Sequence, residues 1–208
     1  YNFDSLTAMP RPMTENGPPI MMAVLNPEGI YACTKRGFNI MTTPLAGNHQ
    51  LMLDQVDGFN RAKSEMGNTG KDLTLSLSRG AFIIKDEADR KAKLEQAYEY
   101  FARFDNVFTG PGIVKNGMIE ILPRKQTMAE LADSLLICTP EEMIDQLEVY
   151  YEIGIDRMIL NMNFGASHAD TMASIQRFSE EVMPNFTSRN VNASSVPINI
   201  QIKSNDSC

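Results

Sequence analysis

The sequence predicts an α/β fold built on a parallel sheet, and three observations support this prediction. A short apolar run, Met158 to Met162, predicts a buried strand and lies between two amphipathic helical patterns in the stretch from Thr139 to Pro184. Earlier apolar runs of strand length are also followed by helical patterns, and 208 residues with 43% hydrophobic content can form one sizeable core. Parallel α/β folds bind ligands at the carboxyl ends of their strands. We therefore look for function in the loops that follow the strands.

The first two strand–helix units lie between residues 20 and 66. Ile20 to Leu25 is an apolar run, and the following Asn26-Pro27-Glu28 supplies an N-cap, a first-turn proline and an acidic first-turn residue. That helix is expected to end near Gly37. Phe38 to Thr43 is the second predicted strand, and a helix is expected from about Asn48 to Met66.

The third unit begins with a strand region from Asp72 to Ile84. Asp86 and Asp89 are expected to cap a long helix that runs to about Phe104. The segment from Asn106 to Arg124 is rich in glycine and proline, so we predict an irregular insertion, and a lid is one use for it. A short helix is predicted from Met128 to Leu135. With this helix, the insertion extends over residues 106–135.

The fourth unit closes the predicted domain. Thr139 and Glu142 form a capping box around a first-turn proline, which is a strong helix start. A strand from Arg157 to Asn163 and a helix from His168 to Met183, ended by Pro184, complete a domain over residues 1–186. Residues 187–208 are expected to be a loosely ordered tail, although Ile198, Ile200 and Ile202 alternate as in an edge strand.

Composition excludes several classes of function. The net charge of -7 provides no basic stripe for a phosphate backbone, which argues against nucleic acid as a partner. No apolar run approaches the roughly 20 residues of a membrane helix, and the first residues lack the form of a signal peptide, so we expect a soluble cytoplasmic protein with no membrane contact. Cys33, Cys138 and Cys208 are too far apart to suggest a metal site.

Four strand–helix units make half of an eight-unit barrel, which usually needs about 250 residues. Four parallel strands cannot close into a barrel by themselves. The chain is therefore predicted to form an open sheet or the second half of a barrel.

Several phrases favour the second alternative. They are Pro18 to Ala23 leading to Asn26-Pro27-Glu28, then Cys138 to Glu142, Gly154-Ile155-Asp156, and Asn161 to Gly165. Their order and spacing resemble the carboxyl-terminal half of the bacterial luciferase-like, flavin-dependent monooxygenases. The resemblance extends over about residues 10 to 186.

This resemblance implies a (β/α)8 TIM-type barrel of which the chain supplies strands five to eight. It implies a flavin-dependent monooxygenase that uses reduced FMN and O2 to oxygenate a small organic substrate, with deazaflavin F420 as a less favoured cofactor. A flavin reductase and a homodimer are the expected partners. The first four strands are absent, so the alternatives are a non-catalytic flavin-binding protein or a structural half-barrel that needs its amino-terminal half.

The resemblance also implies a set of cofactor-binding residues, which lie at or after strand ends except for Arg79, which lies within its strand. They are Leu25, Asn26, Gly29, Thr43, Arg79 and Asn163. The first three match a phosphate-binding turn, where a helix N-terminus presents free N–H groups, although a hydroxyl residue is common in the family where Gly29 stands. Thr43 and Asn163 are expected to face flavin or substrate. Arg79 is expected to neutralise a phosphate or a developing peroxide anion. Packing, capping or an ion pair explains each of them equally well.

No catalytic residue can be assigned from the sequence. His49 and His168 both lie near helix starts on the expected functional face, where either has the chemistry of an acid or base near neutral pH. Neither matches the catalytic histidine of the family, so a solvated or capping role is favoured. No metal-binding cluster is predicted.

Overall fold

The computed structural model describes residues 2, 4–7, 9–13, 17–44 and 49–187. The predicted start of the second helix at Asn48, the isoleucines of the tail and Cys208 lie outside these residues. Within them, a five-stranded parallel sheet carries helices, and a small antiparallel hairpin stands apart from it. The strands are β1 Met21–Ala23, β2 Asn39–Thr42, β3 Leu75–Ile83, β4 Val114–Lys115, β5 Met118–Ile119, β6 Leu136–Cys138 and β7 Arg157–Asn161.

The helices confirm the predicted strand–helix alternation. They are α1 Pro27–Lys35, α2 His49–Met66, α3 Glu87–Phe108, α4 Met128–Ser134, α5 Pro140–Glu152, α6 His168–Arg177 and α7 Pro184–Thr187, with a 3-10 turn at Gly67–Gly70 and a π-helical turn at Phe178–Val182. Asn26, Asp86 and Thr139 cap α1, α3 and α5 through their side chains, as predicted. Each cap satisfies N–H groups that a helix start leaves without a partner.

Strand β3 is the centre of the sheet. Its first half pairs with β2 and, over Ser76 to Gly80, with β7, while its last three residues, Ala81 to Ile83, pair with β6. All these pairings are parallel, so the carboxyl ends of the strands lie along one edge. The loops after β1, β2, β3 and β7 therefore open on the same side of the sheet.

One strand was not predicted, and two predicted boundaries are wrong. Strand β6 was not predicted, because three apolar residues directly after a short helix resemble its continuation. Helix α3 ends at Phe108 rather than near Phe104, so Asn106 is helical. Pro184 does not end the last helix but begins α7, since proline lacks only an N–H that the first helical position does not need.

The core consists of two groups of buried side chains. The larger includes Ile40, Phe59, Leu75 and Leu77 and packs the sheet against α1, α2 and α5. The smaller joins the end of β3 to α3, α4 and β6, and includes Phe82 with its neighbour Phe164, whose ring centroids are 5.9 Å apart. The second group attaches the insertion to the sheet.

The outermost strands are less buried than the sequence predicts. Met21 and Met22 in β1 are 42% and 37% exposed, and Ile159 in β7 is 38% exposed. Strand β7 alternates between exposed and half-buried residues, so the prediction of a buried strand at 158–162 is wrong. The apolar run indicated a strand correctly, but burial depends on cover, and among the described residues β1 and β7 each pair with one strand only.

Candidate functional site

A cleft of about 1050 Å³ opens beyond the carboxyl end of β2 and beside the middle of β3. One wall comes from the sheet and the start of α2, with Pro44, His49, Met52 and Arg79. The other wall comes from the insertion, from Asp105 to Ser134. The predicted insertion therefore forms half of this cleft, and Arg79 is the predicted site residue that lines it.

Arg79 projects from β3 and forms no ion pair with a carboxylate among the described residues. Its Nη2 donates a hydrogen bond to the carbonyl oxygen of Ser134, the last residue of α4. Its Nε is buried and has no hydrogen-bond partner in the described part of the chain. Because buried donors are nearly always paired, this N–H is a candidate ligand donor.

Arg124 is a second arginine on the cleft, and the sequence did not single it out. Its side chain is only 2% exposed. Its Nε donates to Asp105 Oδ2 at 2.8 Å and its Nη2 donates to Gln126 Oε1 at 2.8 Å. The guanidinium carbon lies 5.4 Å and 5.7 Å from the ring centroids of Tyr98 and Phe101. No local pattern marks this residue, because its contacts come from distant parts of the insertion and α3.

Asn106 holds the insertion in place. Its Nδ2 donates to the carbonyl oxygens of Ile113 and Glu120, and its Oδ1 accepts from the N–H of Ile113, each at 2.9 Å. The residue is 1% exposed. A single side chain thus joins α3 to both arms of the β4–β5 hairpin, which directly precedes Arg124.

The turn after β1 is exposed at Leu25 and Asn26 and lies on the same edge of the sheet as Asn163. However, Asn26 Oδ1 accepts from the N–H groups of Glu28 and Gly29, at 2.9 Å and 3.2 Å. The next N–H, of Ile30, donates to the Asn26 carbonyl oxygen. The first-turn N–H groups of α1 are therefore occupied, and a phosphate would have to displace Asn26.

Packing and charge around this turn also matter. A Cβ at Gly29 would lie 2.9 Å from Val24 Cγ1, so close packing explains the glycine without a ligand. The small adjoining pocket of about 330 Å³ is lined by Glu28, Asp54 and Asp57 with Arg61 as its cation. Three carboxylates beside one guanidinium, which already pairs with Glu28 at 2.9 Å, disfavour a dianion there.

Gln55 joins two of the predicted positions. This residue of α2 is fully buried, and its Nε2 donates to the carbonyl oxygens of Leu25 at 2.8 Å and Thr43 at 3.3 Å. The ends of β1 and β2 are therefore held together by one amide. Thr43 itself is half-buried, next to the Pro44 that lines the cleft. Sequence reasoning missed Gln55, because a buried glutamine on an apolar helix face carries no motif.

The remaining predicted polar residues lie at the same edge. Asn163 is exposed, and its Oδ1 accepts from the N–H of Gly165 at 3.2 Å, which shapes the turn before α6. His168 is exposed at the start of α6. His49 is exposed at the start of α2 and lines the cleft, whereas His168 is not among its lining residues.

Hydrogen bonds keep one cleft carboxylate ionised. The backbone N–H and the hydroxyl of Thr127 donate to Glu130 Oε2 in a capping box, and these bonds lower the pKa of Glu130.

In the part of the chain that the structure describes, no group of three or more histidine, cysteine or acidic side chains is placed to hold a metal ion. None of the described helices has the length and apolar character to cross a membrane.

Comparison with known proteins identifies relatives of this chain. No family model matches it. The chain is 23% identical over 198 residues to the oxygenase component of the flavin-dependent trigonelline monooxygenase of Acinetobacter baylyi, covering 92% of this chain and 55% of that protein. It is also 25% identical over 153 residues to a 2,5-diketocamphane 1,2-monooxygenase of Pseudomonas putida, covering 67% of this chain and 41% of that protein. The chain thus spans about half the length of the relatives it matches.

Solved structures agree on the fold. A monooxygenase of Streptomyces bottropensis superposes with a TM-score of 0.60 at 18% identity, over 86% of this chain and 51% of that one. The oxygenating constituent of 3,6-diketocamphane monooxygenase from Pseudomonas putida, solved with FMN, gives a TM-score of 0.56 at 15% identity, over 81% and 49%.

Proposed function

We propose that this chain belongs to the luciferase-like family of flavin-dependent monooxygenases and supplies the carboxyl-terminal half of a (β/α)8 barrel. That barrel would oxygenate a small organic substrate with reduced FMN and O2. Relatives named as monooxygenases support this proposal. The observation that carries it is the cleft beyond the carboxyl end of β2. On its wall lies the buried Nε of Arg79, which has no hydrogen-bond partner among the described residues.

The residues of the cleft suit a flavin in size and in donors. Its volume of about 1050 Å³ lies just above the roughly 300–1000 Å³ usual for ligand sites, so it has room for a flavin beside a small substrate. When bound, reduced flavin supplies the electrons with which O2 is activated. Arg79 Nε would donate to an anionic oxygen or nitrogen of the ligand, while its bond to Ser134 fixes the guanidinium plane.

The other proposed cofactor residues have supporting roles. Thr43 lies at the end of β2, beside the Pro44 that lines the cleft, and Asn163 follows the end of β7. A phosphate-binding turn remains proposed for Leu25, Asn26 and Gly29. It requires that Asn26 Oδ1 release the N–H groups of Glu28 and Gly29. Since those groups are occupied, we favour Arg79 as the first phosphate or ring contact.

The partners follow from the same proposal. The trigonelline relative is named as an oxygenase component, so we propose that a separate flavin reductase supplies reduced FMN. Exposed Met21, Met22 and Ile159 on the outermost strands favour cover by four further strands of a barrel, or by a second copy in a homodimer. F420 stays the alternative cofactor.

Flavin titration tests this proposal. We expect FMN added to the 208-residue chain to shift its visible absorption, with Arg79→Ala weakening FMN binding at least tenfold and Arg79→Lys weakening it less. Arg103→Ala is the matched control, because Arg103 pairs with Glu99 on α3 and is not among the cleft residues. Unchanged spectra with FMN and with F420 at high protein concentration would refute a flavin site.

A second measurement separates catalysis from binding. The chain is assayed with FMN, a flavin reductase and NADH, and formation of oxygenated substrate is measured. An oxygenase consumes O2 and oxygenates the substrate, whereas a flavin-binding protein holds oxidised FMN without substrate turnover. Sizing chromatography completes the comparison, because a half-barrel that needs its amino-terminal half should aggregate alone rather than elute as a dimer.

A further inference from the structure

We infer that Arg124 binds an anionic group of the organic substrate, so that the substrates of this cleft carry a carboxylate or a similarly compact anion. This inference rests on the proposed function, because it names the substrate class of the same cleft. It is carried by one nitrogen atom of a buried side chain that the insertion places on the cleft wall.

Arg124 is rigidly positioned. Asp105 and Gln126 each accept a hydrogen bond from it at 2.8 Å, and the rings of Tyr98 and Phe101 lie beside its guanidinium. With a side chain 2% exposed, it has given up almost all of its hydration. A guanidinium held in this way loses little conformational entropy when a ligand binds.

One nitrogen of this guanidinium is left over. Nη1 is buried and has no hydrogen-bond partner among the described residues, although Nε and Nη2 are both paired. An unpaired buried donor costs about 1–3 kcal/mol, and more when the group is charged. Arg124 lines the cleft, so a ligand oxygen that reaches Nη1 would remove that cost.

The unpaired guanidinium N–H of Arg124, rather than the net charge of the cleft, is what favours an anion. Its partner Asp105 is 43% exposed, so solvent screens the carboxylate more than it screens the buried guanidinium. The Glu130 carboxylate accepts hydrogen bonds from Thr127 in its capping box. Arg79 and Lys125 add two further cations to the lining, against Asp133 as the third carboxylate. Formal charges in the cleft are balanced, so recognition depends on the directed N–H of Arg124 rather than on a net field.

The position of Arg124 favours the substrate over the flavin phosphate as the source of the anion. Arg79 projects from the central strand, whereas Arg124 belongs to the insertion that forms the facing wall. A flavin contacting Arg79 and a substrate contacting Arg124 would occupy the two sides of one cleft. The insertion would then select substrates, while the sheet holds the cofactor.

The test uses benzoate as the anionic probe and benzamide as its uncharged counterpart, titrated calorimetrically into the 208-residue chain. We expect benzoate to bind at least tenfold more tightly than benzamide. Arg124→Gln and Arg124→Lys should each lose that preference, and Arg103→Lys should keep it. The lysine variant retains the charge facing Asp105, and circular dichroism before titration verifies that each variant is folded.

Equal binding of the two probes, or benzoate binding that survives both Arg124 substitutions, would overturn the inference. A parallel titration with FMN and riboflavin distinguishes the two possible anions. If Arg124→Lys weakens FMN but not riboflavin, the residue holds the flavin phosphate and the inference is wrong. If benzoate binds through Arg124 while neither flavin binds, the anion subsite stands and the proposed function fails.

Discussion

Asn106 is the side chain on which the order of the insertion depends, and its replacement by alanine should release the β4–β5 hairpin from α3. The substitution removes three hydrogen bonds of 2.9 Å from a residue that is 1% exposed. At about 1 kcal/mol each, with about 0.5 kcal/mol regained from the higher helix propensity of alanine, the hairpin should lose about 2.5 kcal/mol of local stability. That is on the order of a 70-fold increase in the population of the open form.

Hydrogen exchange measures this opening directly. The N–H groups of Ile113 and Glu120 should exchange roughly 70-fold faster in Asn106→Ala, because Ile113 N–H loses its acceptor and the Glu120 N–H bond to the Ile113 carbonyl closes the same hairpin. Asn106→Asp should open it further, since it places a carboxylate oxygen against two carbonyl oxygens. Exchange by β3 amides should change little.

Asn60→Ala is the matched control for this experiment. Asn60 is an exposed residue of α2, so its replacement gains the same helix propensity without removing the buried bonds. If the amides of Ile113 and Glu120 exchange no faster in Asn106→Ala than in Asn60→Ala, the hairpin is held by other contacts and the reasoning is wrong.

Three further predictions concern stability and reactivity. Gly58→Ala should lower the melting temperature by several degrees, because the new Cβ would lie 2.6 Å from the Pro27 carbonyl oxygen; a stabilised variant would contradict this packing. The pKa of Glu142 lies below its ordinary value, because Arg90 and then the Thr139 N–H donate hydrogen bonds to the carboxylate. The contribution of Glu142 to stability is therefore present above the ordinary pKa and is lost as the pH falls through the lowered pKa. Glu142→Gln should therefore be less stable than the wild type near pH 7 by chemical denaturation, and that difference should shrink as the pH falls through the lowered pKa of Glu142. Burial raises the pKa of the Cys138 thiol to about 12, so a thiol reagent should modify it only after unfolding; rapid labelling of the native chain, mapped by mass spectrometry, would show the strand open.

The structure shows why some elements were predictable from the sequence and others were not. The caps at Asn26, Asp86 and Thr139 each join residues within about three positions of one another, so the pattern contains the whole interaction. Strand β6 was missed because three residues are too few to show a period, and it is a strand only through its pairing with β3. The exposure of β1 and β7 was missed for a related reason, since an apolar run does not reveal what covers it.

The candidate site divides in the same way. Arg79 was predictable as a charged residue in a strand, but its bond to Ser134 joins positions 55 residues apart. The Asn26 turn was predictable as a helix start. Whether its N–H groups are free is a matter of side-chain geometry, and the structure shows them occupied.

The sequence by itself determined the order of the four main strand–helix units and the caps at Asn26, Asp86 and Thr139, because periodicity and capping depend on neighbouring residues. Only the tertiary structure decided that the insertion forms a cleft wall and that Arg124 is buried there with one nitrogen unpaired. Those properties arise where α3, the hairpin and α4 meet the sheet. Desolvation and hydrogen bonding at such a junction depend on groups that are distant along the chain, so no local pattern contains them.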